Sequence, residues 1–176
     1  MSKFPGTLLF ITGIFCSAGN VKSATTNINL DGKITAAACT VETKLANGLN
    51  INLGKTLYTS MQNSGDGGAW SDFSLNLTSC PRGTNRSTMT LSGIVDNDDS
   101  SLFINTATGE SAATNVAVQL ANQTNRSQIL SNNSQVTVAI NNNQASFPLS
   151  ARMYTPSGGV TPGLVKTTVL VNFTYQ

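Results

Sequence analysis

The chain has 176 residues and only 10% of them are charged, which excludes both a segment kept disordered by charge repulsion and a highly charged helical bundle. The 15 glycines and the abundance of Asn, Ser and Thr are typical of one β-rich domain with polar outer faces and many turns. Because the sequence contains no histidine, it lacks the commonest general base and the usual ligand of transition metals. We therefore expect no enzyme activity, no metal and no cofactor.

The first 24 residues have the pattern of a secretory signal peptide. Lys3 precedes an apolar run over residues 7–18 that is too short to cross a bilayer as a helix. Small residues allow cleavage after Ala18 or, as we favour, near residues 23–24; a buried N-terminal strand is the alternative interpretation. The full chain has ten basic and eight acidic residues. Lys3 and Lys22 are removed with the signal peptide, so the mature chain has eight residues of each charge. A chain near zero net charge has no basic patch for nucleic acid and no polybasic patch for a membrane surface, so we expect no nucleic-acid partner. We also expect no stable membrane insertion, because no other stretch is long and apolar enough to span a membrane.

Period-two alternation of apolar side chains predicts short strands along the rest of the chain. The first, over residues 26–35, places Ile28, Leu30, Gly32 and Ile34 on one face. Further strands are predicted at residues 49–53, 72–80, 89–93, 102–104, 116–120, 136–140 and 147–153. Turn-forming compositions separate them at residues 63–68, 96–101, 122–133 and 156–159. Many short strands at intervals of about ten residues predict an antiparallel sandwich or barrel.

The chain ends in a strongly apolar strand, predicted over residues 163–176. The side chains on its apolar face are Val165, Thr167, Val169, Val171, Phe173 and Tyr175. Chain ends usually fray, so a terminal strand with such a face needs a strand beside it. The sequence therefore raises the question of which segment, from this molecule or another, pairs with it.

The cysteines and one acidic cluster are the remaining candidates for chemistry. Cys16 leaves with the signal peptide, and two cysteines in an exported chain, here Cys39 and Cys80, most often form one disulfide. Closing a loop of about forty residues would contribute roughly 3–4 kcal/mol. Two thiolates without a histidine do not supply a normal zinc site. The aspartates within residues 96–99 are interpreted as a solvated turn; a calcium site is the alternative, but the spacing of an EF-hand is missing.

Five longer stretches and the spacing of the C-terminus carry a family resemblance. The stretches are GKITAAACTV (residues 32–41), NINLGKTL (50–57), AWSDFSLNLTSCPRGT (69–84), NVAVQL (115–120) and SFPLSARMYTPSGGVTPG (146–163). Gly163 stands fourteenth from the end of the 176 residues, and Tyr175 is penultimate. In this order and spacing, the chain resembles the pilins of chaperone–usher fimbriae of the type 1 family. Residues 69–84 are most similar to the minor adaptor subunits of the type 1 tip fibrillum.

The resemblance implies an all-β, incomplete immunoglobulin-like sandwich that lacks its seventh, C-terminal strand and is completed by a donated strand. It assigns residues 1–24 to the signal peptide, 25–38 to an N-terminal donor-strand extension and 39–176 to the pilin domain, in which Cys39 pairs with Cys80. The donor-strand residues are then Ile28, Leu30, Gly32 and Ile34, with Gly32 matching the family's inward-facing glycine. The groove-edge residues of the C-terminal strand are Gly163, Val165, Val169, Val171, Phe173 and Tyr175.

The resemblance also implies a function: a structural subunit of an adhesive fimbria, assembled by donor-strand exchange. The implied partners are neighbouring pilin subunits, a periplasmic chaperone and an outer-membrane usher. The chain would pass through the periplasm to an extracellular fimbrium of a Gram-negative bacterium, where it would serve cell adhesion as a minor adaptor linking tip and rod. The alternatives are a major rod pilin, a single-domain adhesin that binds a host receptor or glycan, and a self-complete sandwich whose N-terminal strand fills its own groove.

Overall fold

Two antiparallel β-sheets dominate the part of the chain that the computed structural model describes, residues 38–42 and 46–176. The strands are β1 (Thr40–Val41), β2 (Ser71–Thr78), β3 (Arg86–Gly93), β4 (Phe103–Ile104), β5 (Ala117–Asn122), β6 (Ile129–Leu130), β7 (Gln135–Ala139), β8 (Ala145–Tyr154) and β9 (Val169–Tyr175). A single 3₁₀ turn covers Tyr58–Ser60 within the same ranges.

The larger sheet has the strand order β1-β2-β8-β5-β4, and β6 also pairs with β5. Its centre is β8, which is antiparallel to β2 on one side and to β5 on the other. The smaller sheet has the order β7-β3-β9, so β9 is an edge strand in the described part of the chain. The antiparallel sandwich expected from the sequence is confirmed.

The core lies between the two sheets because successive side chains of a strand point to opposite faces. Leu75 and Leu77 of β2 and Phe147 of β8 are buried on the inner face of the larger sheet, and Met89 and Leu91 of β3 oppose them from the smaller one. Fully burying a side chain of this size stabilises the fold by about 1.5–3 kcal/mol. The central strand of the smaller sheet is thus anchored firmly to the core.

The strand predicted at residues 49–53 is absent from the structure. Ile51 and Leu53 are half-buried, as the alternation implied. However, the Asn52 side chain accepts a hydrogen bond from the Gly54 N–H at 2.9 Å, and Gly54 has a φ of +77°. This turn ends the run. Leu49 is exposed, and residues 49–53 have no strand partner among the described residues.

Two other boundaries differ from the prediction. Residues 122–133, predicted to be a loop, contain β6, which pairs with the end of β5. The final strand begins only at Val169. The segment before it pairs with a different part of the chain, since Leu164 forms a parallel bridge with Ala112. The other six predicted strands that fall in the described residues, from residues 72–80 to 147–153, lie within a few residues of the observed ones.

The signal peptide and the predicted donor extension, including Ile28, Leu30, Gly32 and Ile34, lie outside the described residues. Within the described ranges, no helix combines the length and the hydrophobicity needed to cross a membrane.

Candidate strand-acceptor site

β9 presents to the core a row of side chains that are only half-buried. Val169, Val171, Phe173 and Tyr175 all pack against the core, while the residues between them are exposed, Leu170 to 65%. On the neighbouring β3, by contrast, the inward side chains are fully buried. The apolar surface of β9 is therefore covered from the β3 side and remains partly open along its outer edge.

The backbone of β9 is also directed towards this open edge at every second residue. Arg86 and Gln176 exchange both of their backbone hydrogen bonds at 2.9 Å. Because bonded and non-bonded pairs alternate along an antiparallel ladder, the next pair, Ser87 with Tyr175, is a non-bonded one. The N–H and C=O groups of the odd-numbered residues of β9 thus point away from β3. They are the groups that an added strand would pair with.

The floor of this edge is formed by aromatic rings from both sheets. The rings of Phe173 and Phe147 lie 5.4 Å apart between centroids at an interplanar angle of 45°. Such tilted contacts are favourable beyond the area that they bury. Partial burial raises the pKa of the Tyr175 phenol above its ordinary value. The row is therefore a preformed apolar surface rather than a set of freely solvated side chains.

Gly163 opens the C-terminal segment at a place where two backbones touch. A Cβ atom here would meet the backbone of Ala112 and Ala113, with the Ala112 oxygen at 2.8 Å. The Leu164 N–H donates to the Ser111 oxygen at 2.6 Å, and the Ala113 N–H donates to the Leu164 oxygen at 3.1 Å. Glycine is required at this position because a side chain would separate the two backbones.

A cavity of about 210 Å³ lies next to this contact. Its lining includes Met61, Val116 and Val160, which form a second small core cluster. Val165 lines the cavity and also packs against the main core. The cavity is therefore adjacent to the row of β9 side chains and extends the apolar surface towards the start of the C-terminal segment.

Asn105 fixes this segment, and the sequence pattern does not identify it. Its Nδ2 donates to the backbone oxygens of Ala113 at 2.9 Å and Leu164 at 3.0 Å. Its Oδ1 accepts a hydrogen bond from the Lys166 N–H at 2.9 Å. In a chain so rich in asparagine, no local signal sets this residue apart, since all three partners are distant or in other loops.

Ser87 lies beneath the end of the row, opposite Tyr175, and its buried hydroxyl has no hydrogen-bond partner among the described residues. Burying a polar group without a partner is unfavourable. We predict that Ser87→Ala is neutral or raises the free energy of unfolding by up to about 1 kcal/mol. Ser150 is the matched control: it is equally buried, but its hydroxyl donates to the Asp72 carboxylate. Ser150→Ala should lower the urea midpoint; equal midpoints for the two variants would contradict the prediction.

The structure joins Cys39 and Cys80 in a disulfide, the pairing that the resemblance implied. Both cysteines are buried. The Cys80 N–H donates to the Asn143 oxygen, and Asn143 Nδ2 donates back to the Cys80 oxygen, each at 2.9 Å. The bridge attaches the residue before β1 to the end of β2, and the pair of hydrogen bonds attaches this same end of β2 to the turn between β7 and β8.

The aspartates within residues 96–99 act as turn caps. Asp96 Oδ1 accepts hydrogen bonds from the N–H groups of Asp98 at 3.1 Å and Asp99 at 3.3 Å. Asp99 Oδ1 accepts one from the Ser101 N–H at 2.8 Å. These contacts are those of the solvated turn that the sequence favours.

The structure thus brings together the six predicted groove-edge residues: Gly163, Val165, Val169, Val171, Phe173 and Tyr175. Five of them contribute side chains to the half-buried surface, and Gly163 shapes the backbone that precedes it. The predicted donor residues lie outside the described part, so their placement against any groove stays a prediction.

The chain matches known proteins over nearly its whole length. A family model described as "Fimbrial protein" matches residues 28–176. Protein FimG of Escherichia coli (strain K12) is 30% identical over 162 residues, which cover 91% of this chain and 90% of FimG. The S-fimbrial adhesin protein SfaS of Escherichia coli O6:K15:H31 (strain 536 / UPEC) is 28% identical over 169 residues, covering 96% of each.

A solved structure gives an independent comparison of the fold. The P pilus rod subunit PapA superposes with a TM-score of 0.64 at 16% identity, over 80% of this chain and 100% of PapA. At this identity the likeness concerns the fold alone. The all-β, immunoglobulin-like pilin sandwich expected from the sequence is confirmed.

Proposed function

Because the chain belongs to the fimbrial protein family, we propose that it is a pilus subunit that assembles by donor-strand exchange and serves as a minor adaptor between tip and rod. The role is structural and non-catalytic. The observation that carries the proposal is the open edge of β9, where half-buried apolar side chains coincide with outward-pointing backbone groups.

The predicted donor segment matches this edge in length and period. Its four inward positions, Ile28 to Ile34, span about 20 Å at roughly 3.3 Å per residue, as do the four inward positions of β9 from Val169 to Tyr175. Burying three aliphatic side chains would contribute roughly 5–9 kcal/mol before entropy is subtracted. Each ladder hydrogen bond would add about 1 kcal/mol. In this proposal, the next subunit's extension fills this groove, and this chain's own extension fills the groove of the subunit ahead.

An unpaired sheet edge over an apolar surface is a hazard for a free monomer, because it invites aggregation. We therefore propose that a periplasmic chaperone occupies the groove first. At an outer-membrane usher, the extension of the next subunit then replaces the chaperone. The chain would then reside in an extracellular fimbrium of a Gram-negative bacterium and contribute to cell adhesion.

The alternatives within the family are a rod subunit, as PapA is named, and an adhesin, as SfaS is named. For this chain the second alternative would be a single-domain adhesin that binds a host receptor or glycan. Immunogold labelling of intact pili separates the first two roles: a few labels at the junction of tip and rod support the adaptor, and labels along the whole shaft support the rod subunit. The adhesin role is tested separately, by receptor binding of the purified chain itself.

Donor-strand exchange itself is tested at Gly32. We predict that Gly32→Leu leaves the periplasmic level of the subunit unchanged but reduces its amount in sheared pili at least about tenfold, because the added side chain overfills the groove of the subunit ahead. The measurement is quantitative immunoblotting of periplasm and pili. Asp31→Leu is the matched control, since it adds the same side chain to the opposite face of the strand.

Equal amounts of the Gly32→Leu and Asp31→Leu variants in pili would contradict donor-strand exchange. A stable, monomeric wild-type chain purified without any chaperone would instead support the self-complete sandwich.

A further inference from the structure

The outer face of the larger sheet carries a cluster of large side chains that takes no part in the β9 edge. Along β5 and β8, Gln119, Arg152 and Tyr154 alternate with residues that face the core. Gln119 and Arg152 are directly opposite each other in the register, and Trp70 immediately precedes β2. We refer to Trp70, Gln119, Arg152 and Tyr154 as the outer arginine cluster.

The guanidinium of Arg152 is held in one orientation by its neighbours. Its central carbon lies 4.4 Å from the centroid of the Trp70 ring and 5.1 Å from that of Tyr154. Its Nε donates to Gln119 Oε1 at 2.8 Å, and Gln119 is only 7% exposed. A Cβ atom at Gly67 would lie 3.1 Å from the guanidinium, so the loop also packs closely against it. The side chain is therefore preorganised.

The positive charge of this preorganised group is not balanced within the described residues. Arg152 forms no ion pair there, and its two terminal nitrogens have no hydrogen-bond partner in the same part of the chain. Partial burial lowers the pKa of Arg152 from its ordinary value. A guanidinium that has lost part of its hydration without gaining a carboxylate is an attractive site for an anion.

The carboxylate of Asp72, on the same face, is already engaged. It accepts hydrogen bonds from Ser150 and from Arg126, the latter at 2.9 and 3.0 Å to its two oxygens. These hydrogen bonds, from Ser150 first and then Arg126, hold the pKa of Asp72 below its usual range. Asp72 is therefore committed to Arg126 and, among the described residues, does not balance the charge of Arg152.

We propose that the outer arginine cluster docks an aspartate or glutamate side chain of a protein partner. The planar fork of an arginine matches a carboxylate in a bidentate manner. Trp, Tyr and Arg are also the residues that most often dominate the energetics of protein interfaces. Both rings are already stacked on the guanidinium, which leaves less ring face for a sugar. The cluster lies on the opposite sheet from β9, so this contact is independent of strand addition.

The experiment uses the only tryptophan of the chain. The chain is labelled with ¹⁵N and studied by NMR, together with any unlabelled partner that purifies with it. The indole N–H of Trp70 then gives a single signal. We expect N-acetyl-glutamate amide to shift this signal in a saturable manner, and N-acetyl-glutamine amide to leave it in place. Arg152→Ala should weaken the binding at least about tenfold, with Arg152→Lys intermediate because it keeps the charge but loses the fork. Arg82→Ala, which removes an exposed arginine elsewhere, should bind as the wild type does.

Three results would overturn the proposal. One is the absence of a saturable shift with the glutamate compound, and another is an equal shift with the glutamine compound. The third is tighter binding of glucuronate, which would make the cluster a site for an acidic sugar. If Arg152→Ala does not fold, Arg152→Lys carries the test. A fourth result then also counts against the inference: Arg152→Lys binds the glutamate compound as tightly as the wild type does, and lowering the ionic strength does not change that affinity.

Discussion

An aspartate in place of Val171 is expected to abolish strand addition at β9. Val171 lies in the middle of the half-buried row and packs against the core. A strand laid along the open edge would bury the new carboxylate with no partner. Leaving such a charge unpaired lowers the affinity for the incoming strand by about 3–5 kcal/mol, which is at least a hundredfold. The measurement is the amount of subunit that co-purifies with the proposed periplasmic chaperone and the amount that appears in sheared pili.

The neighbouring Leu170 provides the control for this variant. Leu170 is on the same strand, one residue away, but its side chain faces outward and is 65% exposed. Leu170→Asp therefore places the same charge in water and should be incorporated as the wild type is. Because Val171 also contributes to the core, circular dichroism of the two variants must show whether the domain itself remains folded. If both variants enter pili equally, β9 does not line the groove.

The alternation along β9 is predictable from the sequence because it is a local property. A strand with one apolar face repeats every two residues whatever its neighbours are, so the pattern alone assigns Val169, Val171 and Phe173 to one face, together with Tyr175. The same pattern fails at residues 49–53. There the short apolar run ends in the turn of Asn52 and Gly54 and has no strand partner among the described residues, which a local pattern does not reveal.

Features made by distant residues cannot be predicted in this way. Asn105 is important because three backbone groups from two other segments converge on its side chain. The outer arginine cluster likewise assembles from β5, β8 and the residue before β2, which are far apart in sequence. No spacing rule identifies such sets, since the sheet order β2-β8-β5 that brings them together is itself a property of the whole fold.

Removing the disulfide is the second large effect that we predict. The bridge between Cys39 and Cys80 closes a loop with a sequence separation of 41 residues. On the chain-entropy model, opening a loop of this size destabilises the folded state by about 4 kcal/mol. The Cys39→Ser, Cys80→Ser double variant should therefore unfold at a markedly lower urea concentration than the oxidised wild type. Both proteins should be compared with the same donor strand bound at the β9 edge, so that only the disulfide differs between them.

The consequence reaches beyond stability, because β1 has only two residues and pairs with β2 alone among the described strands. The disulfide therefore helps to hold β1 to β2 at the start of the sandwich, which directly follows the proposed donor extension in the sequence. The double variant should consequently lose incorporation as well as stability. Cys16→Ser is the control, since this cysteine lies in the predicted signal peptide and should change neither property. A free thiol in the mature wild-type chain, or an unaltered urea midpoint in the double variant, would show that the bridge does not hold this junction.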